Sequence, residues 1–253
     1  MRHPNKIKHK EEGLIFGIHP VMEALRAGKE IDKVLLQSGA ASPQITDLKR
    51  QLAELDIPVS YVPKEKLMQY SRINHQGLVA FLSPVDFQPI DEVLQRVFEQ
   101  GEDPFLLILD RITDVRNFGA ICRTAECAGV HAVIVPARGS ARIGGDAVKT
   151  SAGALMHIPV GRSMNLKDTL QFLKDSGMRI VGASEKGNAQ LFEAELSGPL
   201  GIIMGSEETG ISPEYLKKCD AMLNIPMRGE TSSLNVSVAA GIMLYEVVRQ
   251  RAF

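Results

Sequence analysis

From Phe105 onward the chain repeatedly sends a short, unbroken apolar run into a polar loop and then into a helical pattern. "FLLILD" leads through "RITDVRN" to the helical "FGAICRTAECAG", and "VHAVIVP" leads to "DAVKTSAGALMH". "MRIVGAS", "GPLGIIMG" and "AMLNIPM" likewise end in loops. Apolar runs without polar alternation belong to strands buried on both faces, and strands separated by helices pair in parallel. The pattern predicts an α/β fold whose largely parallel sheet is covered by helices on each side. A strand at "IPVG", a helix over Leu166 to Ser176, a short one near "SPEYLKK" and a long final helix complete it.

The residues before this region form a smaller alternation. "GIHPVMEALRAG" predicts a helix ended by Gly28, "IDKVLLQ" a strand, "PQITDLKRQLAELD" an amphipathic helix and "IPVSYVP" a strand. "KEKLMQYS" resumes a helix and "HQGLVAFLS" a strand. Residues 1–83 are therefore expected to form a small α/β domain with a basic N-terminal tail, 84–103 a linker with one helical stretch, and 104–253 the larger domain.

A chain of 253 residues, 44% hydrophobic and 23% charged, has the material for such cores. Its net charge of −1 offers no general attraction to nucleic acid, although residues 1–83 hold 12 Lys and Arg against 9 Asp and Glu. No apolar run is long enough to span a bilayer, and "MRHPNKIKHKEEG" lacks the apolar segment of a secretory signal, so the expectation is a cytoplasmic protein with no membrane partner. Cys122, Cys127 and Cys219 lack paired spacing and are expected to be reduced, buried and incidental. His131 and His157 lack metal-spaced partners, so no metal is expected.

Three strand ends carry ligand-type loops. In open α/β sheets ligands sit at the carboxyl ends of strands, which places Arg116 and Asn117 well. Arg123, among small and apolar helical neighbours, either grips a phosphate or carboxylate in two-point fashion or is a surface arginine. In "IIMGSEETGIS" the lysine of a phosphate loop is missing. Gly205 and Gly210 permit a sharp bend, and Glu207 is an acceptor for a ligand amine or an arginine; a capped turn reads the same. In "LNIPMRGETSSLN" the apolar "IPM" offers backbone groups beside an apolar wall, as an adenine ring requires. The following "GETSSLNVSVAAG" alternates like a strand at Leu234, Val236 and Val238, but its length and the closing Arg249 and Arg251 favour a helix capped by Ser232, Ser233 or Asn235. Donors exposed at such a helix start can also hold a ligand.

Four segments, "NFGAICRTAECAGV", "KTSAGALMHIPV", "IIMGSEETGIS" and "IPMRGETSSLNVSVAAGIMLYE", resemble in order and spacing the signature segments of the SpoU/TrmH family of RNA ribose 2′-O-methyltransferases. "GIHPVMEAL" and "NHQGLVA" resemble the accessory RNA-binding domain of the family's ribosomal RNA members, a fold shared with ribosomal proteins. The resemblance implies a C-terminal α/β domain with a deep trefoil knot, S-adenosylmethionine as cofactor, an RNA partner and a homodimer formed through the C-terminal domain. The general rule that chains do not thread their own loops would have excluded the knot. By motif position the resemblance assigns Arg123, Asn117, Glu207, Ser233 and Asn235 to catalysis. Gly205, Ile225 and Leu234 are then cofactor contacts, with Met204 and Met227 as neighbouring wall, and Arg72, Asn74, His75 and Arg116 are expected to contact RNA. The expected reaction is 2′-O-methylation of a guanosine in large-subunit (23S) ribosomal RNA. Transfer RNA as substrate, or a non-catalytic RNA-binding assembly protein, are the alternatives.

Overall fold

The computed structural model describes residues 13–55, 57–70, 75–187, 189–231 and 233–252. The chain divides into two units, Met1–Pro84 and Val85–Phe253.

In the first unit β1 (Leu14–Phe16), α1 (Ile18–Arg26), β2 (Ile31–Gln37), α2 (Pro43–Glu54), β3 (Val59–Val62), α3 (Lys64–Leu67) and β4 (Leu78–Leu82) build a sheet of order β1-β4-β2-β3. Only β2 and β3 are parallel. Period-two alternation sends Val34, Leu36, Leu78 and Ala80 to one face, where they meet Val21 of α1 and Leu48 of α2. Leu35, Val79 and Phe81 point to the other and meet Leu67 of α3. Helix α2 starts where it does because the Ser42 hydroxyl accepts from the Ile45 N–H at 3.1 Å and Pro43 fills the first helical position. Strand β1 escapes the sequence pattern because three residues show no period, and α3 is one turn shorter than "KEKLMQYS" implies.

The second unit contains α4 (Ile90–Glu99), β5 (Phe105–Leu109), α5 (Val115–Cys127), β6 (Ala132–Pro136), α6 (Gly145–Thr150), β7 (Val160–Ser163), α7 (Leu166–Asp175), β8 (Arg179–Ala183), β9 (Ala189–Gln190), β10 (Leu200–Met204), α8 (Pro213–Leu216), β11 (Ala221–Asn224) and α9 (Val236–Ala252). Its seven-stranded sheet has the order β7-β6-β5-β10-β8-β11-β9, and every neighbouring pair is parallel. Phe105, Leu107 and Leu109 of β5 pack on one face with α5 and α9, whereas Leu106 and Ile108 pack on the other with α4 and α7. Each such leucine or isoleucine, fully buried, contributes about 1.5–3 kcal/mol of transfer free energy. The stretch 84–103 does more than connect: Phe87 bridges Val160, and α4 buries Val93 and Leu94 beside Ile134 and Leu170.

Helix α6 stops at Thr150, short of the expected span, because Ala152 and Gly153 turn to φ +52° and +90° before a 3-10 turn at Ala154–Met156. Of the cysteines only Cys122 is buried, and burial pushes its thiol up; Cys219 is half-buried and pushed up to about 11 by the same cause, while Cys127 is exposed. Among the described residues no helix is long and apolar enough to cross a membrane.

Helices α5 and α6 meet at Gly119, where an added Cβ would stand 2.1 Å from the Thr150 Oγ1 and 2.8 Å from the Thr150 carbonyl carbon. Backbone cannot yield as a side-chain tip can. Gly119→Ala is expected to lower unfolding free energy by about 1–3 kcal/mol, read from the urea midpoint.

Candidate active site

The strand order brings β10, β8 and β11 side by side. Their carboxyl ends open into the loops 183–186, 204–211 and 225–235, which together line a cavity of about 590 Å³. Gly205, Ile225, Leu234, Met204 and Met227, the five expected cofactor contacts, all line it. Met204 is buried at the strand end, Ile225 and Leu234 are half-buried, and Met227 is exposed. The β8 loop, with Ser184, Glu185 and Lys186, forms part of the wall although no sequence motif marked it. The loop after β5, one of the three expected from sequence, does not line the cavity but supports it from beside.

Gly205 sits where the β10 loop folds back on itself. An added Cβ there would lie 2.1 Å from the Gly210 carbonyl carbon and 2.1 Å from the Ile211 nitrogen. The fold-back is held by an antiparallel bridge between Ser206 and Gly210, with the Gly210 N–H donating to the Ser206 carbonyl at 2.8 Å and Gly210 at φ +66°. A second close passage occurs at Gly187, where a Cβ would stand 2.6 Å from the Met222 carbonyl oxygen; the Asn224 Nδ2 donates to the Gly187 carbonyl at 2.9 Å. The β8 loop and β11 are thereby clasped backbone to backbone.

Beside the cavity two helix starts face each other. Asp114 caps α5, accepting from the N–H groups of Arg116 and Asn117 at 2.9 Å each. Asn235 caps α9, its Oδ1 accepting from the Ser237 N–H at 3.0 Å. The two hydrogens on Asn235 Nδ2 go to Asn117 Oδ1 at 3.0 Å and to Glu207 Oε1 at 2.7 Å. With the Ser237 hydroxyl also donating to Oδ1, the Asn235 amide uses its full bonding capacity, which fixes its orientation. Glu207 Oε1 also accepts from the Val236 N–H at 3.3 Å, a carboxylate held at the positive end of a helix.

The structure therefore joins Asn117, Glu207 and Asn235 directly and sets Ser233, exposed, on the cavity wall. Ser233 is not the cap; Asn235 fills that position, and Glu207 adds a second side-chain oxygen at the same helix start. Arg123 stands apart. It is exposed, its side chain makes no hydrogen bond or ion pair among the described residues, and it lies six residues beyond Asn117, about 9 Å along the helix axis. Glu207, read from the sequence as an acceptor for a ligand amine or an arginine, is engaged by Asn235 and the α9 start. Arg116 is exposed at the first turn of α5. His75 is buried, its Nδ1 accepting from the Gly77 N–H at 3.0 Å, and so serves the turn before β4. Arg72 and Asn74 lie outside the described residues.

A tight backbone fold-back that only glycine permits at Gly205, apolar walls at Ile225, Leu234 and Met204, and a volume in the range of small-molecule sites suit a nucleoside-bearing cofactor such as S-adenosylmethionine. A parallel α/β domain with such a cavity at its strand ends has the make-up of an enzyme that binds a small-molecule cofactor there. The SpoU rRNA methylase profile matches residues 104–245, and the profile described as RNA 2′-O ribose methyltransferase substrate binding matches residues 14–88. A protein of Staphylococcus saprophyticus described as a TrmH family tRNA/rRNA methyltransferase is 40% identical over 243 residues, covering 96% of this chain and 98% of its own. The SpoU methyltransferase AviRb from Streptomyces viridochromogenes, solved in complex with AdoMet, superposes with a TM-score of 0.61 at 26% identity, over 99% of this chain and 94% of that one. A TrmH/SpoU tRNA modifying enzyme of A. aeolicus gives a TM-score of 0.55 at 31% identity, over 64% of this chain and 84% of its own. The chain belongs to the SpoU rRNA methylase family. It is an RNA ribose 2′-O-methyltransferase that uses S-adenosylmethionine.

Asn235→Ala is expected to cost about 1–2 kcal/mol through the lost cap, measured by urea unfolding. Asn235→Asp keeps the capping oxygen but sets a second carboxylate against Glu207, which raises the proton affinity of the pair in the folded state. Its stability should accordingly match the wild type in mild acid and fall as the pH rises to neutral.

Proposed function

We propose that this enzyme methylates a guanosine ribose in large-subunit ribosomal RNA, working in the cytoplasm as a homodimer. The observation that carries the ribosomal reading is the N-terminal unit, which matches the substrate-binding profile over residues 14–88. A relative that modifies transfer RNA spans only 64% of this chain, whereas AviRb spans 99%. The choice of guanosine rests on the family resemblance.

When bound, S-adenosylmethionine supplies a methyl group already activated by its sulfonium. What remains for the chain is orientation and charge. In this reading Gly205, Ile225, Leu234, Met204 and Met227 hold the cofactor, while Asn117, Glu207 and Asn235, locked into one hydrogen-bonded unit, fix the edge of the site that faces the ribose. Ser233, exposed on the wall, is free to donate to a ribose oxygen. Arg123 does not serve as a base, because a guanidinium keeps its proton up to about pH 12 or beyond. Its role is to bind the phosphate next to the target ribose and stabilise the alkoxide as it develops, the proton passing to that phosphate or to water. Arg116 extends the same exposed edge of α5, seven residues away and so on one helix face with Arg123.

The dimer reading rests on α9. Val238 and Tyr245, each 50% exposed and seven residues apart, form an apolar stripe with half-buried Ile242 between them.

Mapping of 2′-O-methyl positions in ribosomal and transfer RNA, with and without the gene, tests the substrate: one site lost from large-subunit RNA supports the proposal, and a loss confined to transfer RNA overturns it. Arg123→Ala should abolish methylation while cofactor affinity, measured by calorimetry, stays at the wild-type value. Sedimentation should give a dimer for the wild type and a monomer for the double variant Val238→Asp, Tyr245→Asp; a wild-type monomer would remove the dimer from the proposal.

A further inference from the structure

Asp110 and Arg111 follow directly on β5 and lie outside the cavity wall, yet they hold the loop that forms its largest single share. Asp110 is 1% exposed, and its N–H donates to the Met204 carbonyl at 2.8 Å, continuing the β5–β10 ladder one residue beyond the strands. Its Oδ2 accepts from the Ser212 N–H and from the Ser212 hydroxyl, both at 2.7 Å, and its Oδ1 accepts from Arg111 Nε at 3.1 Å. The Arg111 Nη2 lies 3.4 Å from Oδ2 and donates to the Gly210 carbonyl at 3.2 Å. Both atoms that close the β10 loop, at Gly210 and Ser212, are thus tied to one buried carboxylate and its neighbouring guanidinium. Arg111 itself is held at φ +58°, a left-handed conformation that an arginine adopts only when its surroundings impose it.

The loop needs this hold. Ser206 and Gly205 are half-buried and Glu207 to Gly210 are exposed, so little apolar burial anchors the tip. At that tip Glu207 meets Asn235, and on its inner side Gly205 shapes the cradle. We propose that Asp110 and Arg111 form a latch that sets the shape of the β10 loop, and that they are positioning residues for S-adenosylmethionine without touching it. The inference rests on the cavity being the cofactor site. A buried carboxylate satisfied by four donors holds its partners more firmly than an amide can: in Asp110→Asn one oxygen becomes a donor, and either Ser212 or Arg111 loses its acceptor.

The test is calorimetric titration of S-adenosylmethionine into the wild type, Arg111→Gly, Asp110→Asn and Leu234→Ser, with steady-state kinetics on the same proteins. Glycine accepts the left-handed backbone without strain, so Arg111→Gly reports the lost guanidinium alone and retains the fold where Asp110→Asn fails to. Loss of the guanidinium's charge-assisted bond to the Gly210 carbonyl, its tie to the loop, predicts Kd and KM for the cofactor raised about 10- to 100-fold in Arg111→Gly. RNA affinity should follow the wild type, a split that mere destabilisation would not give. Wild-type Kd and KM in Arg111→Gly, together with weakened binding in Leu234→Ser, overturn the latch. Wild-type affinity in Leu234→Ser removes the cofactor from this cavity, and the latch falls with it for a different reason.

Discussion

The burial of β5 and β10 on both faces governs where everything else in the second unit can be. Helices cover each side of the sheet, so a polar or charged group cannot leave the middle of a strand without burying an unpaired polar atom. Chemistry is pushed to the strand ends, and the parallel pairing points all carboxyl ends the same way. Because β10 lies between β5 and β8, and β11 beyond β8, three loops distant in sequence become neighbours in space. Cavity, helix caps and loop fastenings are all consequences of that one layered arrangement.

Within it the hydrogen bonds are shared between scaffold and site. Asn235 terminates α9 and also spans from the β10 loop to the start of α5, so the helix cap and the cavity rim are one set of bonds. Glu207 gains from the backbone N–H of Val236 at the same time. A site assembled in this way needs few residues devoted to chemistry alone, and it explains why the segment Gly229–Gly241 is so rich in small and hydroxyl-bearing side chains.

Much of this was legible in the sequence, for identifiable reasons. The long buried strands declared themselves by uninterrupted apolar runs, and the loops after β10 and β11 by glycines and polar residues placed at strand ends. Strands β1 and β9, of three and two residues, are too short to show any period. The β8 loop was missed because "SEKG" has the composition of an ordinary solvent turn; only the strand order gives it a role. Strand order itself is invisible to local pattern, since parallel pairing depends on crossovers between distant segments. The link from Glu207 to Asn235, 28 residues apart, had the same obstacle, and motif membership alone placed Arg123 nearer to them than one chain brings it.

The cavity wall is drawn entirely from residues 183–239. During synthesis the first unit, with its sheet closed by β4 at Leu82, leaves the ribosome long before the last wall residue has been joined to the chain. The cap at Asn235 forms later still, when the C-terminal helix can pack on α5. The order of translation therefore separates the two halves of the enzyme in time: a nascent chain owns its substrate-binding module before it owns the cavity at the strand ends.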